Sequence, residues 1–334
     1  MSERFRFSLV VMTYERPFAL RRCLDSISQL DFPKSAYEVI VVDDGSARPQ
    51  PQPLAQAYPD LHLRYYRIPH QGVSVARNTG LKRASGDLVA FLADDYTLPT
   101  DYLSQAEGFF RRYAEAHVIT FNVKSVSPSP ARHIQQIYHE LVLLQNAAAE
   151  PDENGIVKTS HLPASRAAVF RREVFDLVGP FNESLSAGED GELGQRLAAH
   201  GIPLHFMHEY YIDHHEDKGF GDFLRQRIEY ATSYYQVTLA KDARSEKPSW
   251  ALSRCVKIVL RRLSGWVGIS WRRGKFTRFC LLSPGLALFL FRFYLTLHQL
   301  EKEGVRAGPA PADIPEDAES DLSESPCPSA TAVQ

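Results

Sequence analysis

Two largely apolar runs near the N-terminus are separated by a helix-length interval. Residues 7–12 and 39–42 are rich in β-branched side chains, as expected for strands buried on both faces of a parallel sheet. Between them Pro17 is suited to a first helical turn. Apolar residues then recur at helical spacing, at Leu20, Cys23, Leu24, Ile27 and Leu30. The pattern predicts a β-α-β unit.

The alternation continues through the next hundred residues. We expect strands at 61–68, 87–92 and 118–123, and helices at 74–84, 99–116, 133–146 and 189–200, the last ended by Gly201. Residues 147–154 have the composition of a loop. Strands that alternate with helices predict an α/β fold with a mostly parallel sheet flanked by helices.

The pattern changes near the C-terminus. Residues 251–300 carry nine basic side chains and no acidic one, and apolar positions recur at helical spacing from Leu252 to Val267. The apolar run 279–291 contains Pro284 and is too short for a spanning helix, which needs about 20 residues. We expect amphipathic helices that lie on a membrane surface. Packing of these helices onto the rest of the protein is the alternative.

The last residues reverse the charge. Residues 301–334 hold eight acids, two bases and many Pro, Ala and Ser, which predicts disorder. We therefore expect a catalytic domain over 1–235, a basic membrane-associating helical region over 236–300 and an acidic tail over 301–334. The region 251–300 contains no recognised nucleic-acid-binding module, so nucleic acid is not an expected partner.

Overall composition is that of a globular protein. The 334 residues are 44% hydrophobic and 23% charged, with a net charge of −2. The four cysteines show no CxxC spacing, which argues against a zinc knuckle or disulfide framework and fits a reducing cytosol. The first residues lack the long apolar core of a signal peptide. These features predict a cytoplasmic protein.

Paired acids follow two of the predicted strands. Asp43 and Asp44 come after 39–42, and Asp94 and Asp95 come one residue after 88–92. Ligands of open α/β sheets bind beyond the carboxyl ends of the strands. If both strands are parallel, the acids share one edge, where a cation would offset their repulsion. A turn is the alternative for either pair alone, and Asp43 fits a turn better than a ligand.

Seven motifs in order resemble family 2 glycosyltransferases with the GT-A fold. They are SLVVMTYERP, EVIVVDDGS, GVSVARNTGL, GDLVAFLADD, FRREVFDLVGPFNESL, the segment 188–197, and His214 ahead of FLRQRIEYA. The resemblance covers about residues 5–235. It implies an inverting hexosyltransferase that moves a sugar from a nucleotide-diphosphate donor to a glycan or lipid-linked acceptor. The implied setting is cell-surface polysaccharide or glycolipid synthesis, at the inner face of the cell membrane.

The resemblance also implies roles for individual residues. The nucleotide would contact residues from four of the motifs, namely Thr13, Glu15, Asp44, Arg77 and Asp94. Asp95 and His214 would hold Mg²⁺ or Mn²⁺ beside the diphosphate. Asp190 would be the catalytic base, and Glu189 would face the acceptor. Ala93 departs from the pattern, since many relatives carry an acid there.

The chemistry of transfer agrees with these assignments. A divalent cation stabilises the charge that grows on a departing diphosphate. One carboxylate is enough to take the proton of an acceptor hydroxyl as it attacks. Asp190 suits this role because it stands near a helix N-terminus, which favours an ionised carboxylate. Taken alone, Glu189 and Asp190 also fit two ordinary helix-terminal charges. His205 and His208 lie near enough in sequence to be confused with His214.

Two other functions stay open. A nucleotidyltransferase also uses a metal and paired acids, although no glycine-rich nucleotide loop is evident after the first strand. A sugar-nucleotide- or membrane-binding protein that has lost activity is the other, with Ala93 as its only sign. Release of pyrophosphate would indicate the first of these, and release of a nucleoside diphosphate would indicate glycosyl transfer.

Overall fold

A computed structural model describes most of the chain. The described residues are 5–49, 54, 56–126, 151–159, 167–185, 187–215, 221, 225, 228–232, 234–235, 250–272 and 276–303. The predicted helix at 133–146 and the tail beyond residue 303 lie outside them, as does the first half of the predicted loop at 147–154.

The described residues include nine strands and seven α-helices, besides a short 3-10 helix at Lys34–Ala36. The strands are β1 (Phe7–Thr13), β2 (Tyr37–Asp43), β3 (His62–Arg67), β4 (Leu88–Ala93), β5 (Tyr96–Thr97), β6 (Val118–Ser125), β7 (Ile156–Thr159), β8 (Val169–Arg171) and β9 (Leu204–His214). The helices are α1 (Pro17–Ser28), α2 (Val73–Arg83), α3 (Tyr102–Arg112), α4 (Val174–Val178), α5 (Glu189–Ala199), α6 (Leu252–Arg272) and α7 (Phe276–Glu303).

All nine strands belong to one sheet. Its order is β3-β2-β1-β4-β8-β6-β9-β5, and β7 pairs with β9 outside this path. The pairs β3-β2, β2-β1 and β1-β4 are parallel, as the alternating pattern predicted. Beyond β4 the sheet is mixed, because β8 runs antiparallel to both of its neighbours while β6 and β9 are parallel.

Helices cover both faces of the parallel half. Successive residues of β1 point to opposite faces. Phe7, Leu9 and Val11 join the apolar cluster that contains α1, whereas Val10 and Met12 join the cluster that contains α2 and α5. The two-sided burial explains why the sequence of β1 is apolar without alternation.

Glycine lets α2 lie close to β1. A Cβ at Gly80 would stand 2.2 Å from Cγ1 of Val10, so no larger residue fits without displacing the helix. This close packing fixes the position of the N-terminus of α2 relative to the carboxyl ends of β1 and β2.

Strand β9 was not predicted. Its pairing with β6 slips between Phe121 and Asn122, where the partner changes from Met207 to Tyr211. The slip breaks the alternation of buried and exposed residues along β9, so the period-2 signal is lost. Three histidines and two acids in the same 11 residues hide the strand further.

The two C-terminal helices pack together. Cys255, Val259 and Trp266 of α6 share an apolar cluster with Leu286 and Leu290 of α7. The backbone N–H of Trp250, just before α6, donates 2.8 Å to Glu301 near the end of α7, so the helices are antiparallel. Among the described helices, none is both long enough and apolar enough to cross a membrane.

A candidate active site at the carboxyl edge of the sheet

The ends of β1, β2 and β4 meet at one edge of the sheet. Thr13 lies opposite Asp43, and Met12 lies opposite Ala93, so both acid pairs follow at the same level. The expectation that the pairs share an edge is confirmed. The hydroxyl of Thr13 donates 2.8 Å to Oδ2 of Asp94. This bond links the first motif to Asp94 and Asp95 at the end of β4, which we call the acid station.

Asp43 forms the turn after β2. Its Oδ1 accepts a hydrogen bond from the backbone N–H of Ser46 at 2.8 Å, and its Oδ2 accepts one from the hydroxyl of Tyr65. Gly45 has a φ of +86°, and a Cβ there would stand 2.7 Å from the backbone nitrogen of His70. The turn therefore needs glycine, and the interpretation of Asp43 as a turn residue is confirmed.

Asp44 anchors the loop that leads into α2. Its carboxylate accepts backbone N–H groups from Gln71 at 2.9 Å and Gly72 at 3.0 Å, and Nδ1 of His70 lies 2.9 Å from Oδ2. The ring of Tyr14 stacks on that of His70, with centroids 4.2 Å apart and planes 16° apart. Both rings are partly exposed, so the stack offers a flat aromatic surface beside Asp44.

Glu15 joins two loops at this edge. Its φ of +54° is in the left-handed region, which is unusual for a residue other than glycine. Its N–H donates 2.8 Å to the Ser46 hydroxyl, and its Oε1 accepts the N–H of Ala47 at 2.7 Å. The side chain braces the turn after β2, and its predicted contact with the nucleotide stays a prediction.

A guanidinium group spans the acid station. Arg16 directs Nη2 to Oδ1 of Asp94 at 2.9 Å and Nη1 to Oδ2 of Asp95 at 2.8 Å. Both carboxylates are buried, whereas the arginine side chain is 47% exposed. Arg16 was not among the site residues predicted from the sequence. A basic residue directly after the first strand was the only available signal.

Burial determines the protonation behaviour of Asp94. The loss of hydration raises its pKa to about 6; Arg16 opposes this rise, and the charge of Asp95 adds to it. Keeping Asp94 ionised in this buried environment costs free energy, and a neighbouring cation reduces that cost.

His214 reaches the same station from β9. It lies opposite Tyr96 of β5, and its Nε2 is 3.4 Å from Oδ2 of Asp95. The N–H of the following residue, His215, donates 2.9 Å to the carbonyl of Asp95. His205 lies at the other end of β9, buried against Phe109, and the side chain of His208 is outside the described part. Of the candidate histidines whose side chains are described, His214 is therefore the one beside Asp95.

The station fits a divalent cation that arrives with phosphate. In the part of the chain that the structure describes, no group of three or more His, Cys, Asp or Glu forms a complete metal cage. Asp95 and His214 offer two donors next to one another. Mg²⁺ is usually held by one or two carboxylates together with substrate phosphates and water. The guanidinium of Arg16 shows that this position accepts a cation.

Ala93 packs into the core. It is 9% exposed and belongs to the apolar cluster on the α1 side of the sheet. Its carbonyl accepts the thiol of Cys23 at 3.7 Å. The position at which many relatives carry a third acid is thus part of the packing between β4 and α1.

Asp190 stands in the first turn of α5. It is partly exposed, and its Oδ1 accepts the N–H of Gly191 at 2.8 Å. Glu189 instead points inward, where Nη1 of Arg77 donates to its Oε1. Arg77 is 1% exposed and Glu189 is 6% exposed. In this arrangement neither side chain is open to a ligand, so their predicted contacts with nucleotide and acceptor would require movement.

Comparison with known sequences identifies a family. The sequence model of Glycosyl transferase family 2 matches residues 8–179. Glycosyltransferase AglE of Haloferax volcanii is 27% identical over 233 residues, which are 69% of this chain and 73% of AglE. The pre-mycofactocin glycosyltransferase of Mycobacterium tuberculosis is 30% identical over 229 residues, 68% of this chain. The match spans about half of that relative, 46% of its length.

Comparison with solved structures identifies the fold. The mannosyltransferase PcManGT of Pyrobaculum calidifontis, solved in complex with GDP-Man and Mn²⁺, superposes with a TM-score of 0.57 at 21% identity. The superposition covers 90% of this chain and 85% of PcManGT. At this identity the likeness establishes the fold, and the prediction of a GT-A α/β fold is confirmed.

Proposed function

Because the chain belongs to glycosyl transferase family 2, we propose that it is a metal-dependent, inverting enzyme. It transfers a hexose from a nucleotide-diphosphate donor to a glycan or lipid-linked acceptor during polysaccharide or glycolipid synthesis. The observation that carries the proposal is that Asp95 contacts both His214 and Arg16 at the carboxyl edge of the sheet. Its Oδ2 lies 3.4 Å from Nε2 of His214 and 2.8 Å from Nη1 of Arg16. The two contacts bring together residues that are 119 positions apart (Asp95 and His214) and 79 positions apart (Arg16 and Asp95) in sequence.

The donor nucleotide lies along the ends of β1, β2 and β4. Thr13, Asp44 and Asp94 contact the nucleoside, and the Tyr14–His70 stack provides a face for the base. Asp95 and His214 would hold Mg²⁺ or Mn²⁺, and the bound metal would neutralise charge on the departing diphosphate. The complex of PcManGT with GDP-Man and Mn²⁺ supports this donor class.

Asp190 acts as the base. The acceptor hydroxyl gives its proton to the Asp190 carboxylate while its oxygen attacks the anomeric carbon. The bond from that carbon to the diphosphate breaks on the opposite face, and the nucleoside diphosphate leaves with the electron pair. One displacement inverts the anomeric centre. General-base catalysis of this kind contributes about 10²–10⁴-fold.

The acceptor is presented at a membrane surface. One stripe of α6 carries exposed apolar side chains, at Leu252, Val256, Leu260, Val267 and Trp271. The basic residues Arg254, Lys257 and Arg261 are also exposed and follow this stripe around the helix. Apolar burial together with basic charge favours an anionic lipid surface. We place the enzyme at the inner face of the cell membrane, where a lipid-linked acceptor would be available.

The test uses Asp190→Asn. UDP- and GDP-activated hexoses are offered with Mn²⁺ and octyl glycosides as acceptors, and products are identified by ³¹P NMR. The wild type should release a nucleoside diphosphate. The variant should lose turnover by at least ~10²-fold while it binds the nucleotide as before. Unchanged turnover contradicts the assignment of the base. Release of hexose 1-phosphate, with the nucleotidyl group passed to the acceptor, indicates a nucleotidyltransferase instead.

A further inference from the structure

Two consecutive residues of α2 hold the segment that precedes Asp190. Oδ1 of Asn78 accepts the backbone N–H of Phe181 at 2.9 Å, and its Nδ2 donates to the carbonyl of the same residue at 2.9 Å. Nδ2 also donates 2.7 Å to Oε1 of Glu183. Asn78 is 4% exposed. One buried amide therefore satisfies both backbone groups of a residue 103 positions away.

Arg77 holds the other end of that segment. Its guanidinium lies over the ring of Phe181, with a centroid distance of 4.9 Å, and donates to Glu189. A buried ion pair gives little net stability, because both charges lose their hydration. Such a pair does impose one geometry, since a displaced partner would leave a buried charge alone. Glu189 is joined directly to Asp190, so this geometry includes the predicted base.

The same helix holds the nucleotide side of the site. Its N-cap is Gly72, whose N–H donates to Asp44, and Gly80 keeps it tight against β1. Its 11 residues span about 16 Å. Asp44 and the segment 181–189 are thus attached to one short, rigid element.

We propose that Arg77 and Asn78 are positioning residues that set the location of Asp190 relative to the bound donor. They act through Glu189 and Phe181 and do not contact the substrate. The proposal rests on the proposed function, because it assumes that Asp190 is the base. It gives Arg77 and Asn78, which belong to the motif GVSVARNTGL, a role that connects the nucleotide site with the base.

The test removes both charges of the ion pair. A single change would leave a buried charge, so the double variant Arg77→Met/Glu189→Gln is compared with wild type and with Arg77→Met alone. The matched control is Arg171→Met. Like Arg77, Arg171 lies over a phenylalanine ring, that of Phe110, but it donates to the carbonyls of Ala114 and Ala116 and holds a different part of the sheet. The measurements are the melting temperature, amide hydrogen exchange of 181–190, and the affinity for GDP and UDP with Mn²⁺.

The double variant should recover most of the melting temperature that Arg77→Met loses. It should bind nucleotide within about two-fold of wild type, yet exchange amides in 181–190 at least ~10-fold faster, because the segment is no longer fixed. Arg171→Met should lower the melting temperature without faster exchange in 181–190. If the amides of 181–190 exchange in the double variant at the wild-type rate, the proposal is overturned, whatever the activity of the variant.

Turnover separates the proposal from the function it rests on. With the donor that the wild type consumes, kcat of the double variant should fall at least ten-fold without a matching change in KM. Arg77→Lys keeps the positive charge beside Glu189, so its kcat should lie between those of the double variant and the wild type. A double variant with wild-type kcat and restored melting temperature shows a purely structural role. Full turnover in Asp190→Asn instead contradicts the base assignment, and the exchange result still decides whether Arg77 fixes the segment.

Discussion

The guanidinium of Arg16 lies 2.8 Å from the carboxylate of Asp95, the residue predicted to hold the metal. The same group contacts Asp94, so one cation offsets two buried acids. A divalent cation that entered with the donor diphosphate would compete for these oxygens. Arg16 is half exposed and can turn outward, where it would meet the phosphates. The metal and the diphosphate should therefore favour each other's binding.

Arg16→Met should separate the competition of Arg16 with the metal from its contact with the phosphates. Without the guanidinium, the acids at the station lose their neutralising partner, so Mn²⁺ alone should bind about ten-fold more tightly. Binding of the nucleoside diphosphate with Mn²⁺ should weaken. Titration followed by electron paramagnetic resonance measures the free Mn²⁺. Arg21→Met, an exposed arginine on α1, is the control and should change neither affinity. Weaker binding of Mn²⁺ alone to Arg16→Met would rule out the competition.

Asp94→Asn should stabilise the metal-free protein while it impairs activity. The folded protein holds Asp94 with a pKa of about 6, raised from 3.8 by burial. The folded state therefore binds the proton more tightly than the unfolded state. As pH rises from about 4 to about 6, this group lowers the free energy of unfolding, by an amount on the order of 2 kcal/mol.

The gain from Asp94→Asn should thus be largest above pH 6 and vanish toward pH 4. Urea unfolding at several pH values measures it. Asp31→Asn changes an exposed carboxylate and should leave the pH dependence as it is in wild type. A gain that grows toward acid pH would have the opposite sign and would contradict the assignment.

Gly80→Ala should displace α2 from β1. The added methyl group would overlap Cγ1 of Val10, at 2.2 Å, and overpacking of this kind costs about 1–3 kcal/mol. Val10→Ala in the same chain should recover part of the loss. Gly108→Ala is the matched control, because a Cβ there meets nothing within 4 Å and alanine favours the helix. Equal melting temperatures for the two single variants would show that α2 is not held tightly.

Leu260→Ser/Trp271→Ser should weaken binding to anionic vesicles. These side chains are 61% and 69% exposed on α6 and would enter the lipid headgroup region. Sedimentation with phosphatidylglycerol vesicles should show at least a ten-fold weaker partition. Phe18→Ser removes an apolar side chain that is 87% exposed on α1 and should have no effect. Identical partition of all three proteins would place the membrane contact elsewhere or exclude it.

The sequence predicts best what depends on local pattern. Strands β1, β2 and β4 were identified because two-sided burial makes them largely apolar, and the acids at the ends of β2 and β4 marked the edge. Strand β9 was missed because the slip near Met207 breaks its period. The contacts of Arg16 with Asp95 and of Arg77 with Glu189 join residues 79 and 112 positions apart, and no local periodicity reports such pairs. His214 was selected by its place in the motif order, and the pairing of β9 with β5 explains its position beside Asp95.

Metal-dependent nucleotide binding tests the central claim most directly. Calorimetric titration with GDP and with UDP, with and without Mn²⁺, is carried out on wild type, Asp95→Asn and Asp190→Asn. One nucleotide should bind wild type at least ~10-fold more tightly with Mn²⁺. Asp95→Asn should lose that metal effect, and Asp190→Asn should keep it. A nucleotide affinity that is the same with and without Mn²⁺ would contradict a metal–diphosphate site at the end of β4. An Mn²⁺ effect of wild-type size in Asp95→Asn would contradict it as well.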